Sequence, residues 1–194
     1  QPVVPSIPGI DSPRIEQLWT VPDAERITQE LSSGENAKNI AVIGGGFIGL
    51  EMVENLRAKG HHLHLIEAQD QVMAPLDYEM AQLLHENLKR YGVQLHLSNG
   101  VTAFEDQGEQ ILVQLQDGNS LSVDFVILSI GVKPNGDLAK EAGLEVNARG
   151  GVITDAYLRT SDPFIYAVGD LIQVKDFTFM EPAMIPLAGP ANKQ

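Results

Sequence analysis

The chain contains no cysteine. Structural disulfides, thiolate metal sites and thiol chemistry performed by these residues are therefore excluded. Basic residues are scarce as well: 13 Lys and Arg stand against 26 Asp and Glu, a formal net charge of −13. Such a field repels phosphate backbones, so no nucleic-acid partner is expected. An anionic ligand would need local attraction, of the kind that a helix N-terminus supplies. No apolar run approaches the ~20 residues of a membrane-spanning helix. The first residues, Gln1 to Gly9, lack the charged-then-apolar layout of a secretory signal. A cytoplasmic protein with no membrane partner is the expectation. A starting Met is absent too, and the chain reads as a segment of something longer. Neither a Ser-His-Asp ordering nor a G-x-S-x-G elbow occurs, so hydrolase chemistry has no foothold. The acidic residues are dispersed and form no catalytic pair.

What remains is 194 residues, 43% of them hydrophobic, enough for one domain or for one domain and part of another. Pro2, Pro5, Pro8 and Pro13 mark residues 1–19 as an extended linker. Thr20 followed by Pro22 and Asp23 predicts an N-cap, with a helix to about Leu31 ending before Ser32-Ser33-Gly34. The apolar run Asn39 to Ile43 predicts a strand buried on both faces. Glycines follow, then a helix from Phe47 to about Ala58, closed by Lys59 and Gly60. His62 to Glu67 is the next strand, which completes one βαβ unit. Ala81, Leu84, Leu88 and Tyr91 recur at helical spacing within a second helix, Asp77 to Arg90. Val93 to Leu97 continues the parallel pattern, and 101–123 reads as an inserted antiparallel meander turning at Asp117-Gly118. Asp124 to Leu128 returns to the buried-strand pattern. The fold class expected is α/β: a Rossmann-type parallel sheet with flanking helices and an inserted β-meander.

The turn Gly44-Gly45-Gly46-Phe47-Ile48-Gly49 fits G-x-G-x-x-G. Gly44 permits the tight turn, Gly46 lets a pyrophosphate approach the backbone, and Gly49 lets helix and strand pack closely. Glycine-rich turns are common, but this one follows a strand, opens a helix and lies in a βαβ unit of the right size. It therefore reads as a dinucleotide site. Glu67 ends the second strand, close to the ~20-residue spacing of the acid that binds the adenosine ribose hydroxyls. A carboxylate there repels a 2′-phosphate, and no Lys or Arg lies between Glu67 and Lys89 to receive one. NAD(H) is favoured over NADP(H). His62 and His64 would share a strand face beside His61, but no third ligand is evident, so no metal site is expected. His85 is expected on the exposed side of its helix. Met180 and Met184 read as packing residues.

Four ordered stretches together resemble the flavin-dependent pyridine nucleotide-disulfide oxidoreductases, and most closely their branch of coenzyme A-disulfide reductases, water-forming NADH oxidases and persulfide reductases. Gly44 to Glu51 is similar to that family's NAD-domain signature. Ser129 to Asn135, with Gly131, resembles the turn that closes the NAD site. Thr160 to Asp170 resembles the strand that places an aspartate on the FAD ribityl chain. Pro186 to Asn192 resembles the segment after it.

The resemblance implies an NAD(H)-binding domain at 20–135 and, at 136–194, an incomplete return segment of an FAD-binding domain. It implies that the FAD half, its redox cysteine and a dimerisation domain belong to other parts of the same polypeptide, so no catalytic residue is expected in this chain. The intact enzyme would be a homodimer passing hydride from NADH to flavin and on to a disulfide, a persulfide or dioxygen. Phe47 matches the aromatic residue that covers the nicotinamide pocket, though a helix-start core residue fits its position equally well. Ile48 belongs to the same signature. Glu51 matches the acid that contacts the nicotinamide carboxamide, and it also fits as an acid in the first helical turn. Gly169 and Asp170 match the FAD contact. A stand-alone dinucleotide-binding module, or a fragment of a ferredoxin-reductase-like or nitrite-reductase-like flavoprotein, would share most of these features.

Overall fold

The computed structural model describes residues 1–32, 36–187, 189 and 191. The chain divides into two compact units, one of residues 2–131 and one formed by Gln1 with the residues from Val132 onward. The first unit contains, in order, β1 (Ile15–Gln17), α1 (Val21–Ser32), β2 (Asn39–Ile43), α2 (Phe47–Ala58), β3 (His62–Ile66), α3 (Tyr78–Arg90) and β4 (Gln94–His96). The meander follows as β5 (Val101–Asp106), β6 (Ile111–Leu115) and β7 (Ser120–Val123), and β8 (Phe125–Leu128) closes the unit.

Five strands form one sheet in the order β1-β8-β2-β3-β4, and every pairing in it is parallel. The central strands are continuous apolar runs because both sheet faces are covered. Along β2, Ile40 and Val42 join one core, whereas Ala41 and Ile43 join the other. The first core receives Ile27 and Leu31 of α1, Val53 and Leu56 of α2, and the partly buried Leu84 and Leu88 of α3. The second receives Phe104, Ile111, Val113, Leu115 and Val123 from the three-stranded antiparallel sheet β5-β6-β7. The Rossmann-type expectation is met, with a refinement: α1, α2 and α3 all flank one face, and the meander takes the place of helices on the other. Each large side chain so covered gains about 1.5–3 kcal/mol over exposure.

The sheet reverses its winding between β2 and β8. From β2 the chain moves outward through β3 and β4, while β8 and β1 lie on the other side. In open α/β sheets the crevice beyond the carboxyl ends of the strands at such a point is where ligands bind.

Three local readings of the sequence differ from the structure in this unit. The segment taken as a linker carries β1, whose Glu16 pairs in register with Ile127 of β8. Proline-rich backbone is already extended, and the edge of β8 offers unpaired N–H and C=O groups that accept it. His85 is not exposed but buried, at 3% of its free surface. At the start of α1 the capping runs backwards, since Asp23 Oδ2 accepts from the Thr20 amide at 2.6 Å and from its hydroxyl at 2.8 Å. Ser33 and Gly34, read as the end of that helix, lie outside the described residues.

The second unit contains α4 (Asp137–Glu141), β9 (Val152–Ile153), β10 (Ile172–Lys175) and β11 (Pro182–Ala183), in sheet order β11-β10-β9. Val152 and Ile172 are its only hydrophobic side chains that are fully buried among the described residues. Phe164, Phe177 and Phe179 are 90%, 84% and 76% exposed. The stretch before Asp170 is not a strand: a single antiparallel bridge, Arg159 with Tyr166, is its ladder. Ala188, Pro190 and Asn192 of the Pro186–Asn192 stretch lie outside the described residues. No helix is long and apolar enough to cross a membrane among the described residues.

Candidate functional site

The glycine turn leaves the carboxyl end of β2 at the switch point, and three neighbouring segments fix its shape. Gly44 has φ +104°, and its amide donates to the Ile66 carbonyl of β3 at 2.8 Å. A Cβ on Gly44 would lie 2.5 Å from the Ser129 carbonyl oxygen, so only glycine fits this passage between β3 and the end of β8. At Gly49 a Cβ would lie 1.9 Å from the Gly44 carbonyl oxygen, which shows how closely α2 packs on the turn. The Ser129 hydroxyl hydrogen-bonds the carbonyls of Ile43 and Gly44, at 2.8 and 3.0 Å. It ties the last strand to the turn.

Gly46 is the contrasting case. Its φ of −79° is open to any residue, and a Cβ there would meet nothing within 4 Å. The glycine is therefore not demanded by the protein's own packing. It stands at the N-cap of α2, which no side chain caps, and the first amides of a helix have no partners within it. An open approach to uncapped helix amides is what a pyrophosphate requires, so these residues fit a dinucleotide.

Glu67 follows β3. Its two carboxylate oxygens are each held by one backbone amide, Oε2 by Gly45 at 2.7 Å and Oε1 by Gln69 at 2.8 Å. Each oxygen keeps capacity for a further donor. The Met73 amide donates to the Gly45 carbonyl at 2.8 Å, and a Cβ on Gly45 would lie 2.8 Å from a methyl of the buried Val72. Gly45 is thus clasped by the loop after β3 through its amide, its carbonyl and its α-carbon. Sequence reasoning gives no individual role to Gly45, Val72, Met73 or Gln69, and places Ser129 only as the first residue of the stretch that resembles the turn closing the NAD site. The three consecutive glycines were a signal for the first; the irregular loop holding Val72 gave none.

Phe47 opens α2 and is 53% exposed, which removes the core reading. Ile48 is half-buried in the same turn. Glu51 is exposed and falls beyond the first helical turn, which contains no acid, so the helix dipole does not account for it. Gly131 has φ +108° and is exposed, and its carbonyl accepts from the Val3 amide at 3.0 Å. Gly44, Gly46, Phe47, Ile48, Gly49, Glu51, Glu67 and Gly131 all belong to the first unit, whereas Gly169 (φ +87°) and the exposed Asp170 belong to the second. A cleft of about 440 Å³ in the first unit, lined by Ile15, Trp19, Asp23 and Leu128 among others, lies along β1 and includes none of the glycine turn.

Two imidazoles meet away from the turn. His64 Nδ1 and His96 Nε2 are 3.1 Å apart, with the rings stacked. Burial lowers the pKa of both, and the neighbouring imidazole lowers that of His64 further. His62, expected on the same strand face, is exposed where His64 is buried.

The fold and this turn define a dinucleotide-binding α/β unit at a sheet switch point. The chain belongs to the pyridine nucleotide-disulphide oxidoreductase family, whose profile matches residues 1–189. The reduced Bacillus anthracis CoADR-RHD is 47% identical with a TM-score of 0.93, over the whole of this chain and 34% of that one. The water-forming NADH oxidase from Lactobacillus brevis, bound to NADH, is 36% identical with a TM-score of 0.90, over 98% of this chain and 42% of that one. The nitric oxide reductase FlRd-NAD(+) reductase of Vibrio vulnificus is 34% identical over 99% of this chain and 49% of its own length. The chain thus spans about half the length of the curated relatives it matches.

Proposed function

We propose that residues 20–135 form the NAD(H)-binding domain of an FAD-dependent oxidoreductase, with NADH preferred to NADPH. The observation that carries the preference is Glu67, fixed by Gly45 and Gln69 with each carboxylate oxygen still able to accept a ribose hydroxyl. In this reading the open N-terminus of α2 takes the pyrophosphate. Phe47 and Ile48 line the path to the nicotinamide, Glu51 meets its carboxamide, and Gly131 closes the far side. Bound NADH supplies a hydride, which the intact enzyme would pass to flavin and on to a disulfide, a persulfide or dioxygen. These residues hold and orient the donor; they neither take nor give a proton in the transfer.

Residues 136–194 are assigned to the FAD-binding side of the enzyme, with Gly169 and Asp170 as its cofactor contact. Support comes from their exposed phenylalanines, since a stretch with two fully buried hydrophobic side chains among its described residues needs further protein to cover such surface. The same observation speaks against a stand-alone module. The intact enzyme is read as a cytoplasmic homodimer, with the remaining FAD and dimerisation domains as partners.

Isothermal titration of NADH and NADPH into the purified chain tests the reading. NADH should bind at least about tenfold more tightly, the effect of a carboxylate facing a phosphate with no cation nearby. Equal or tighter NADPH binding would overturn it.

A further inference from the structure

His85 lies on α3, 3% exposed. Its Nδ1 is 3.3 Å from Gln82 Oε1, an oxygen that can only accept, so Nδ1 carries the proton. Nε2 is then a free acceptor, and the Val72 amide donates to it at 3.1 Å. Val72 is itself fully buried, with a methyl against the α-carbon of Gly45. Its neighbour Met73 donates to the Gly45 carbonyl, and the Gly45 amide holds Glu67. A continuous set of contacts therefore runs from His85 through Val72 and Gly45 to the carboxylate.

We infer that His85 is a positioning residue for the adenosine end of the dinucleotide site, acting through the Val72 amide to seat the loop after β3 against the glycine turn only while its imidazole is neutral. The inference rests on the dinucleotide reading and adds to it a pH-dependent support. A protonated imidazole presents N–H at both nitrogens, so Val72 would face a donor where it now has an acceptor. Burial holds the imidazole below the ordinary histidine range, and Lys89 adds to this, against the opposing pull of Glu86 and Asp70. Glu86 and Lys89 stand on α3 and Asp70 on the loop; these are the charged groups that act on it. Neutral His85 thus persists at physiological pH and is lost on acidification.

The test titrates ADP-ribose, which carries the adenosine ribose and pyrophosphate and survives acid, into the chain at about pH 8 and about pH 5.5. The unchanged chain should bind more weakly at the lower pH, by less than about tenfold because the lowered pKa leaves part of His85 neutral there. His85→Gln places an amide oxygen where Nε2 stood and does not titrate; it should bind like the unchanged chain at about pH 8 and keep that affinity at about pH 5.5. His85→Leu should be weak at both. A merely structural histidine would lower the thermal midpoint of both variants without this pH profile or the rescue by glutamine. Affinity that is flat with pH in the unchanged chain, or an unaltered pH dependence in His85→Gln, overturns the inference while leaving the dinucleotide reading intact. Absence of ADP-ribose binding by the unchanged chain at about pH 8 overturns both.

Discussion

Replacing Glu67 by glutamine exchanges one oxygen for an NH₂ group and leaves the shape unchanged. Its effect can be worked from two hydrogen bonds. Oε2 accepts from Gly45 at 2.7 Å and Oε1 from Gln69 at 2.8 Å. An amide has a single oxygen, so one of these backbone donors must face an NH₂ donor and the loop after β3 must shift. Leaving a donor without its acceptor costs about 1–3 kcal/mol, and because Glu67 is only half-buried the lower end applies to stability. For NADH, the carboxylate's bonds to two ribose hydroxyls are of the charge-assisted kind, about 1.5 kcal/mol each at this exposure. A neutral amide keeps part of that, so affinity should fall by about ten- to thirtyfold. For NADPH the sign reverses. A carboxylate about 4 Å from a doubly charged phosphate is repelled by about 2 kcal/mol even at the dielectric of water, and the substitution removes this. The NADPH-to-NADH ratio of dissociation constants should therefore fall by more than about a hundredfold, read by isothermal titration of both cofactors into both proteins. An unchanged ratio would refute the assignment of Glu67, whatever happened to either affinity alone.

Other expectations follow from the same geometry. Gly46→Ala should leave the thermal midpoint unchanged, since its Cβ meets nothing, yet weaken NADH binding at least about tenfold by crowding the pyrophosphate approach; normal binding would remove Gly46 from the site. Gly44→Ala should do the opposite first, losing about 2–4 kcal/mol in denaturant unfolding through its positive φ and its 2.5 Å approach to Ser129. Acid should destabilise the chain. The pKa values of His61, His64, His85 and His96 are all lowered in the fold, mainly by burial. As pH falls through about 6.5 the unfolded state binds protons that the folded state refuses, and unfolding becomes easier by up to about 1.4 kcal/mol per pH unit for each such histidine. A urea midpoint that stays level or rises between about pH 7 and about pH 5.5 contradicts this. Finally, replacing Phe164, Phe177 and Phe179 together by serine should reduce self-association in sedimentation without altering the unfolding of residues 2–131; unchanged association would show that this surface is not adhesive.

The parallel sheet, the helices and the meander were legible because their signals are periodic: apolar runs for strands covered on both faces, helical spacing in α3, alternation in β6. The glycine turn was legible because its spacing reports a backbone requirement, and Glu67 because strand length fixes where it emerges. What escaped was non-periodic. β1 is three residues long and amid prolines, and it is a strand only because β8 offers an edge. His85 reads as exposed on its helix because polarity is the only guide to direction there; its burial is made possible by a backbone amide thirteen residues earlier, which no helical pattern can register. Gly45 occupies a position that the fingerprint leaves unspecified, and its constraint comes from Val72 on the far side of β3.

The closure of the turn by Ser129 bears on how the molecule assembles. β2, α2, β3 and their helical neighbours are close in sequence, and contacts of that kind form early at small entropic cost. The pairing of Ile43 with Leu128 joins residues on either side of the whole meander, and the Ser129 hydroxyl reaches back across 85 and 86 residues to Gly44 and Ile43. The turn at Gly44, whose φ is +104°, is complete only once that distant contact is made. The cofactor cradle therefore depends on a long-range closure, as the β1–β8 pairing does, and in a refolding experiment nucleotide capture should lag behind the return of the helical signal.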